Sequence, residues 1–126
     1  MNQELEHRVD KLIRNLTFDE LAALYRACDV FISLSRWEGF GLPVAEAAMA
    51  GLPTVALAVA AHKENAVSCP ANSLEEAAEN VAALVANSDL RREKGAQAFE
   101  MALKFNWDSS CKAIARAVDA AKRSEC

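Results

Sequence analysis

No stretch of the chain is apolar for long enough to cross a membrane. The longest candidate, Thr54 to Ala61, falls far short of the ~20 residues a span requires. The N-terminal "MNQELEHRVDK" lacks the apolar core of a secretory signal. A basic excess is also missing: 14 Lys and Arg stand against 18 Asp and Glu, a formal net charge of -4 with the two signs interspersed. No face is therefore expected to neutralise the phosphates of DNA or RNA. Cys28, Cys69, Cys111 and Cys126 lie far apart, form no C-x-x-C pair and have only His7 and His62 for company. That spacing argues against a zinc site or a disulfide framework and for small, half-buried thiols in a reducing compartment. Internal repeats, low-complexity tracts and Pro/Gly/Ser linkers are absent too. What remains is one cytoplasmic domain, or a piece of one: 126 residues, 52 % hydrophobic and 25 % charged, enough for a single core.

The order of local patterns points to an α/β fold. Thr17 with Glu20 three residues on is a capping box, and Leu21, Leu24, Tyr25 and Cys28 follow at helical spacing, which predicts a helix over Phe18 to Ala27. "VFISL", Val30 to Leu34, is a continuous apolar run of the kind found in strands covered on both faces of a parallel sheet. Pro43 suits the first turn of a second helix and Gly51 its end. "PTVALAV" then predicts another buried strand, and strand, loop, helix, strand is a βαβ crossover. Between His62 and Ala71 a loop is expected, with at most a short strand at "AVSC". Ser73 with Glu76 makes a second capping box before a helix that ends near Asn87. Two more helices are expected, over about Asp89 to Lys104 and about Asp108 to Arg123, the last with Trp107, Cys111, Ile114, Ala115 and Val118 on one face. The fold class is thus α/β, a short parallel sheet followed by three helices.

Chemistry concentrates in "SRWEGFGLPVAEAAMAG", Ser35 to Gly51. In an open parallel sheet ligands bind beyond the carboxyl ends of the strands, and this turn leaves such an end. Gly39 and Gly41 let backbone approach a ligand, and the helix starting at Pro43 aims free N–H groups and the positive end of its dipole at the same place. An anion such as a diphosphate fits there. Glu38 and Glu46, with seven residues between them, suit sugar hydroxyls better than phosphate, because carboxylates accept hydrogen bonds and repel anions. A molecule with phosphate in the middle and hydroxyl-bearing rings on either side, a nucleotide-sugar, would use both kinds of group. Two other readings stand beside this one. Glu46 could merely complement the helix dipole while Glu38 is a solvated loop charge, or the pair could be a glycosidase-like acid and base.

The segment "LTFDELAALYRACDVFISLSRWEGFGLPVAEAAMAGLPTVA", Leu16 to Ala56, closely resembles the C-terminal donor-binding domain of retaining glycosyltransferases with two Rossmann-like domains (GT-B), group 1 or family 4. The hallmark there is a glutamate, seven residues and a second glutamate, with "EGFGLP" inside. "DLRREKGAQAFEMALKFNWDSS" looks like the same family's tail, so the resemblance runs from about Leu12 to Lys122. It implies that residues 1–126 form the C-terminal part of such a domain, half of a GT-B fold. It further implies that Glu38 lies by the donor sugar as the catalytic-site carboxylate. Gly39, Phe40, Gly41 and Leu42 offer N–H groups to sugar and diphosphate, and Glu46 takes the ribose hydroxyls. Trp37 is expected to pack. No metal and no cofactor is implied, and the activity would be glycosyl transfer from a nucleotide-sugar with retention, as in polysaccharide biosynthesis.

Part of the family pattern is missing. An Arg/Lys pair that neutralises the leaving diphosphate should lie upstream of the matched segment, and Arg8, Lys11, Arg14 and Arg26 sit in no matching context; Arg36 and Lys63 are only nearby candidates. "AAHKE" stands where relatives often have a Gly-Gly-x-x-Glu-like loop, with Glu64 at the matching glutamate; an exposed polar loop is the expectation for His62, and His7 lies in a charged leader. The isolated chain is expected to be inactive. Its exposed sheet edge invites self-association or a separate acceptor-domain chain. The rival reading is a non-catalytic nucleotide-sugar-binding or interaction subunit that needs such a partner.

Overall fold

The computed structural model describes residues 11–124; His7, Arg8 and Cys126 lie outside them. Helix α1, Phe18–Ala27, opens with the predicted capping box: the Thr17 hydroxyl accepts from the Glu20 N–H and the Glu20 carboxylate accepts from the Thr17 N–H. Strand β1 is Phe31–Ser33, helix α2 Leu42–Met49 and strand β2 Thr54–Leu57. A 3₁₀ turn over Ala60–Lys63 leads to strand β3, Cys69–Ala71. Helices α3, Leu74–Ala86, α4, Ser88–Ala102, and α5, Trp107–Ser124, complete the order. No helix among the described residues is long and apolar enough to cross a membrane.

The three strands form one parallel sheet in the order β1-β2-β3. Phe31 pairs with Thr54 and Ser33 with Ala56, while Val55 pairs with Cys69 and Leu57 with Ala71. All four residues of β2 are buried, as expected of a central strand with helices on both faces. Its side chains alternate between two cores. Val55 and Leu57 meet Ala71, Ala77 and Leu84 under α3, whereas Ala56 meets Val44 of α2 together with Val67 and Phe31. Burying a side chain such as Leu84, Val44 or Val55 stabilises the fold by about 1.5–3 kcal/mol each. The architecture is therefore the expected α/β one, a short three-stranded parallel sheet with three trailing helices.

Several local expectations need correction. β1 is shorter than the apolar run and is not covered on both faces: Ile32 is 47 % and Leu34 45 % exposed. The cause is position, since β1 is an edge and α3 packs over β2 and β3. The third strand falls on Cys69–Ala71, later than "AVSC", because Ala66, Val67 and Ser68 are buried beside β2 and Ser68 bonds to Thr54 from outside the ladder. At α3 the Ser73 hydroxyl accepts from the Glu76 N–H, but the Glu76 carboxylate turns to the two donors that Asn72 offers, at 2.7 and 3.0 Å. The second capping box is thus only half formed. Trp37 does not pack; it is 86 % exposed. Helix α5 has the predicted apolar face, yet Trp107 is 85 % and Ile114 65 % exposed.

The turn that ends α2 is locked in two ways. Gly51 takes φ +79°, and the Leu52 N–H returns to the Ala47 carbonyl while that of Gly51 returns to Ala48, a Schellman closure. Helix α4 then approaches so closely that a Cβ on Gly95 would stand 2.3 Å from the Gly51 carbonyl oxygen. Around this contact Ala48, Ala66, Ala98 and Ala102 form a seam of small residues. Alanine is the better helix former by about 1 kcal/mol, but backbone cannot retreat as a flexible side chain can. Gly95→Ala is accordingly expected to lower stability by about 1–3 kcal/mol, seen as a lower urea midpoint at unchanged slope.

Candidate functional site

The turn from Ser35 to Gly41 leaves the carboxyl end of β1 and enters α2, where the sequence places the site. Gly41 is the N-cap, with φ +80° and no side chain to cap the helix. A Cβ there would sit in the left-handed region, and 3.2–3.3 Å from Asn65 and His62. Phe40 packs edge-on against Phe105 at 5.1 Å, tying the turn to the end of α4. Beneath it Asn65 donates from Nδ2 to the carbonyls of Phe40 and Gly41, the latter at 3.0 Å. Glu38 is half-buried and Gly39 exposed.

Glu46 is the fifth residue of α2, and the first turn of that helix holds no acidic residue. Dipole complementation, which fades beyond the first turn, therefore explains it poorly. Its Oε2 accepts the Tyr25 hydroxyl of α1 at 3.1 Å. Oε1 has no partner among the described residues. Tyr25 itself leans on Phe31, with ring centroids 6.1 Å apart. Burial first, then the hydrogen bond to Glu46 and that carboxylate's charge, push the phenol up from 10.0 to about 12.

Between α1, α2 and the end of α4 lies a groove of about 600 Å³. Its walls are mostly apolar, with Tyr25, Arg26 and Glu46 as the polar and charged exceptions. Of the residues predicted from sequence, Phe40, Leu42 and Glu46 line it, whereas Glu38, Gly39 and Gly41 do not. A mostly apolar cavity with a few convergent polar groups is the usual form of a small-molecule site. Arg26, set aside on sequence context, proves to be the cation on the groove wall; Arg36 and Lys63 are exposed outside it. Among the described residues no three His, Cys, Asp or Glu side chains come together to hold a metal ion.

His62 is a correction, since it is 2 % exposed rather than part of an exposed polar loop. Its Nδ1 stands 2.9 Å from the Leu57 carbonyl, and its Nε2 is buried without a partner beside Gly41. Tyr25 and Asn65 are the site residues that sequence reasoning misses. Tyr25 is legible only as part of a helical stripe, and the one signal for Asn65 is a polar residue interrupting the approach to the apolar pair Ala66 and Val67.

Tyr25 is the chain's single tyrosine, so phenolate absorbance reports on it alone. In the folded protein its midpoint is expected at about 12, and in Glu46→Gln below that value. The unfolded chain ionises near 10.0 and so binds fewer protons than the folded one above that pH. Stability due to this group is full below pH 10.0 and is lost as pH rises through about 12. A midpoint unchanged by Glu46→Gln would contradict the contact.

With the geometry in place, known proteins supply the comparison. The family model "Glycosyl transferases group 1" matches residues 2–101. An uncharacterized glycosyltransferase of Methanocaldococcus jannaschii is 29 % identical over 104 residues, 78 % of this chain and 30 % of the relative. A D-inositol 3-phosphate glycosyltransferase of Corynebacterium efficiens is 31 % identical over 134 aligned positions, covering 99 % of this chain and 32 % of the relative. A lipopolysaccharide core biosynthesis mannosyltransferase of Rhizobium meliloti is 52 % identical over 40 residues, 32 % of this chain and 11 % of the relative. The chain thus spans about a third of the length of the first two relatives. A match over most of the chain, one that takes in the whole turn from Glu38 to Glu46, means that this protein belongs to the group 1 glycosyl transferase family.

Proposed function

We propose that this chain is the C-terminal, nucleotide-sugar-binding part of a retaining GT-B glycosyltransferase. The observation that carries the proposal is Glu46, held by Tyr25 at the wall of an apolar groove with one carboxylate oxygen unpartnered among the described residues, beside a helix N-terminus that no side chain caps. Glu46 accepts the two ribose hydroxyls, a bidentate role suited to a carboxylate. The apolar walls around Phe40 and Leu42 receive the nucleoside. N–H groups of the Gly39 to Leu42 turn, with the positive end of α2, take the diphosphate, and Glu38 accepts from hydroxyls of the sugar.

The chemistry follows from charge. As the glycosidic bond breaks, negative charge grows on the departing diphosphate, and oriented N–H groups lower the barrier by being fixed in advance. Neither glutamate serves as an acid and base pair in this reading; each orients the substrate. Transfer in polysaccharide biosynthesis is the expected use, in line with the lipopolysaccharide core in the name of one relative.

One observation favours the second reading, a binding subunit that does not turn over alone. Arg26 is the one cation on the groove wall among the described residues, too few to neutralise a diphosphate. A further segment or chain would then supply the rest. The outer edge of β1, with Ile32 and Leu34 half exposed beside it, is where such a chain or a second copy would add a strand.

Calorimetric titration with uridine- and guanosine-diphosphate sugars tests the proposal. The folded chain is expected to bind at least one of them with millimolar or tighter affinity. Glu46→Ala is expected to weaken binding by about 1.5–3 kcal/mol, the range for hydrogen bonds to a charged group. A folded protein that binds neither would overturn the assignment.

A further inference from the structure

We propose that Asn65 is the positioning residue of the turn: its side-chain amide turns two peptide units so that their N–H groups, those of Gly41 and Leu42, are presented to the diphosphate. The proposal rests on the nucleotide-sugar reading above and adds to it a residue from a different loop.

Asn65 is 3 % exposed, and both ends of its amide are engaged. Nδ2 donates to the carbonyls of Phe40 and Gly41, and Oδ1 accepts the Ala66 N–H at 2.7 Å. The orientation of the amide is decided by these partners. Flipped, it would set an oxygen against two carbonyl oxygens and an NH₂ against an N–H. His62, the other side chain against Gly41, cannot replace it. With Nδ1–H donating to the Leu57 carbonyl, the neutral ring turns a lone pair on Nε2 toward the turn, and a lone pair cannot hold a carbonyl.

The consequence is geometric. A trans peptide unit is planar and its N–H points opposite to its C=O, and no peptide bond among the described residues is cis. Drawing the Phe40 carbonyl toward Asn65 sends the Gly41 N–H the other way. Drawing the Gly41 carbonyl there does the same to the Leu42 N–H. These are also the spare N–H groups of this helix start: Pro43 has none, and those of Val44 and Ala45 return to the Gly41 carbonyl at 3.0 and 3.4 Å. Neither the Gly41 nor the Leu42 N–H has an acceptor among the described residues. Two adjacent N–H groups at a positive helix end, each fixed by a buried contact of its own peptide carbonyl, match a phosphoryl oxygen. The left-handed Gly41 is what lets both carbonyls reach one side-chain amide.

The test uses uridine diphosphate and guanosine diphosphate as probes against the whole chain and its Asn65→Asp variant, with folding checked by circular dichroism. The introduced carboxylate still accepts the Ala66 N–H but repels both carbonyls. At neutral pH the variant is expected to bind roughly tenfold more weakly, the equivalent of one lost hydrogen bond. As pH falls the introduced carboxyl takes a proton and can donate to one carbonyl, so the ratio of variant to wild-type affinity rises. A purely structural role gives no such recovery. Equal affinity and an equal pH profile in both proteins overturn the proposal while leaving the nucleotide-sugar reading intact; a folded wild type that binds neither probe overturns that reading first. If the variant does not fold, amide resonances of the wild type decide. Those of Gly41 and Leu42 are expected to move most on adding either diphosphate, and amides that stay still in a protein that binds overturn the proposal.

Discussion

The site depends on the parallel pairing of β1 with β2, which sets Ser33 beside Ala56 and so brings the segments leaving both strands to the same end of the sheet. An antiparallel pair would put them at opposite ends. Because β2 is buried along its whole length, its register resists a slip, which would turn Val55 and Leu57 away from Leu84 and Ala77. From that one constraint the rest follows. The first segment supplies the Gly-Phe-Gly turn, the second supplies His62 and Asn65 beneath it, and α2 rises from the place where they meet.

Charge is placed sparingly around this point. The one acidic group on the groove wall, Glu46, is set beyond the first turn of its helix and tethered through the Tyr25 hydroxyl. A carboxylate at the helix start itself would compete with any anion for the same N–H groups. Placed farther along, it faces the groove without occupying the anion position. The Tyr25 phenol stays protonated over the whole neutral range, so the tether does not change with pH there. Phe40 against Phe105 performs the matching task on the other side of the turn.

Much of this is legible in the chain itself. Capping at Thr17, the stop at Gly51 and the strand at Thr54–Leu57 rest on short-range rules, and each element stands where those rules put it. The turn with its two glutamates is readable because glycine, proline and charge there obey backbone chemistry. The failures share one cause, contacts between residues distant in sequence. Ile32 reads as core but sits on an edge, Trp37 reads as packing but meets solvent, and His62 reads as solvated but lies under Gly41. Asn65 bonds across 24 and 25 residues, and Tyr25 across 21. No periodicity reports such a partner. Helix α5 shows the opposite limit: its apolar stripe is readable, but the sequence pattern does not say what the stripe meets.

In the reading proposed for this chain, groove and turn together hold one nucleotide-sugar, and a crystal structure with uridine or guanosine diphosphate is the sharpest test of it. Ribose hydroxyls are expected within hydrogen-bonding distance of Glu46, and phosphoryl oxygens on the N–H groups of Gly41 and Leu42. A nucleotide bound elsewhere on the molecule, with Glu46 making no contact to it, would contradict that reading.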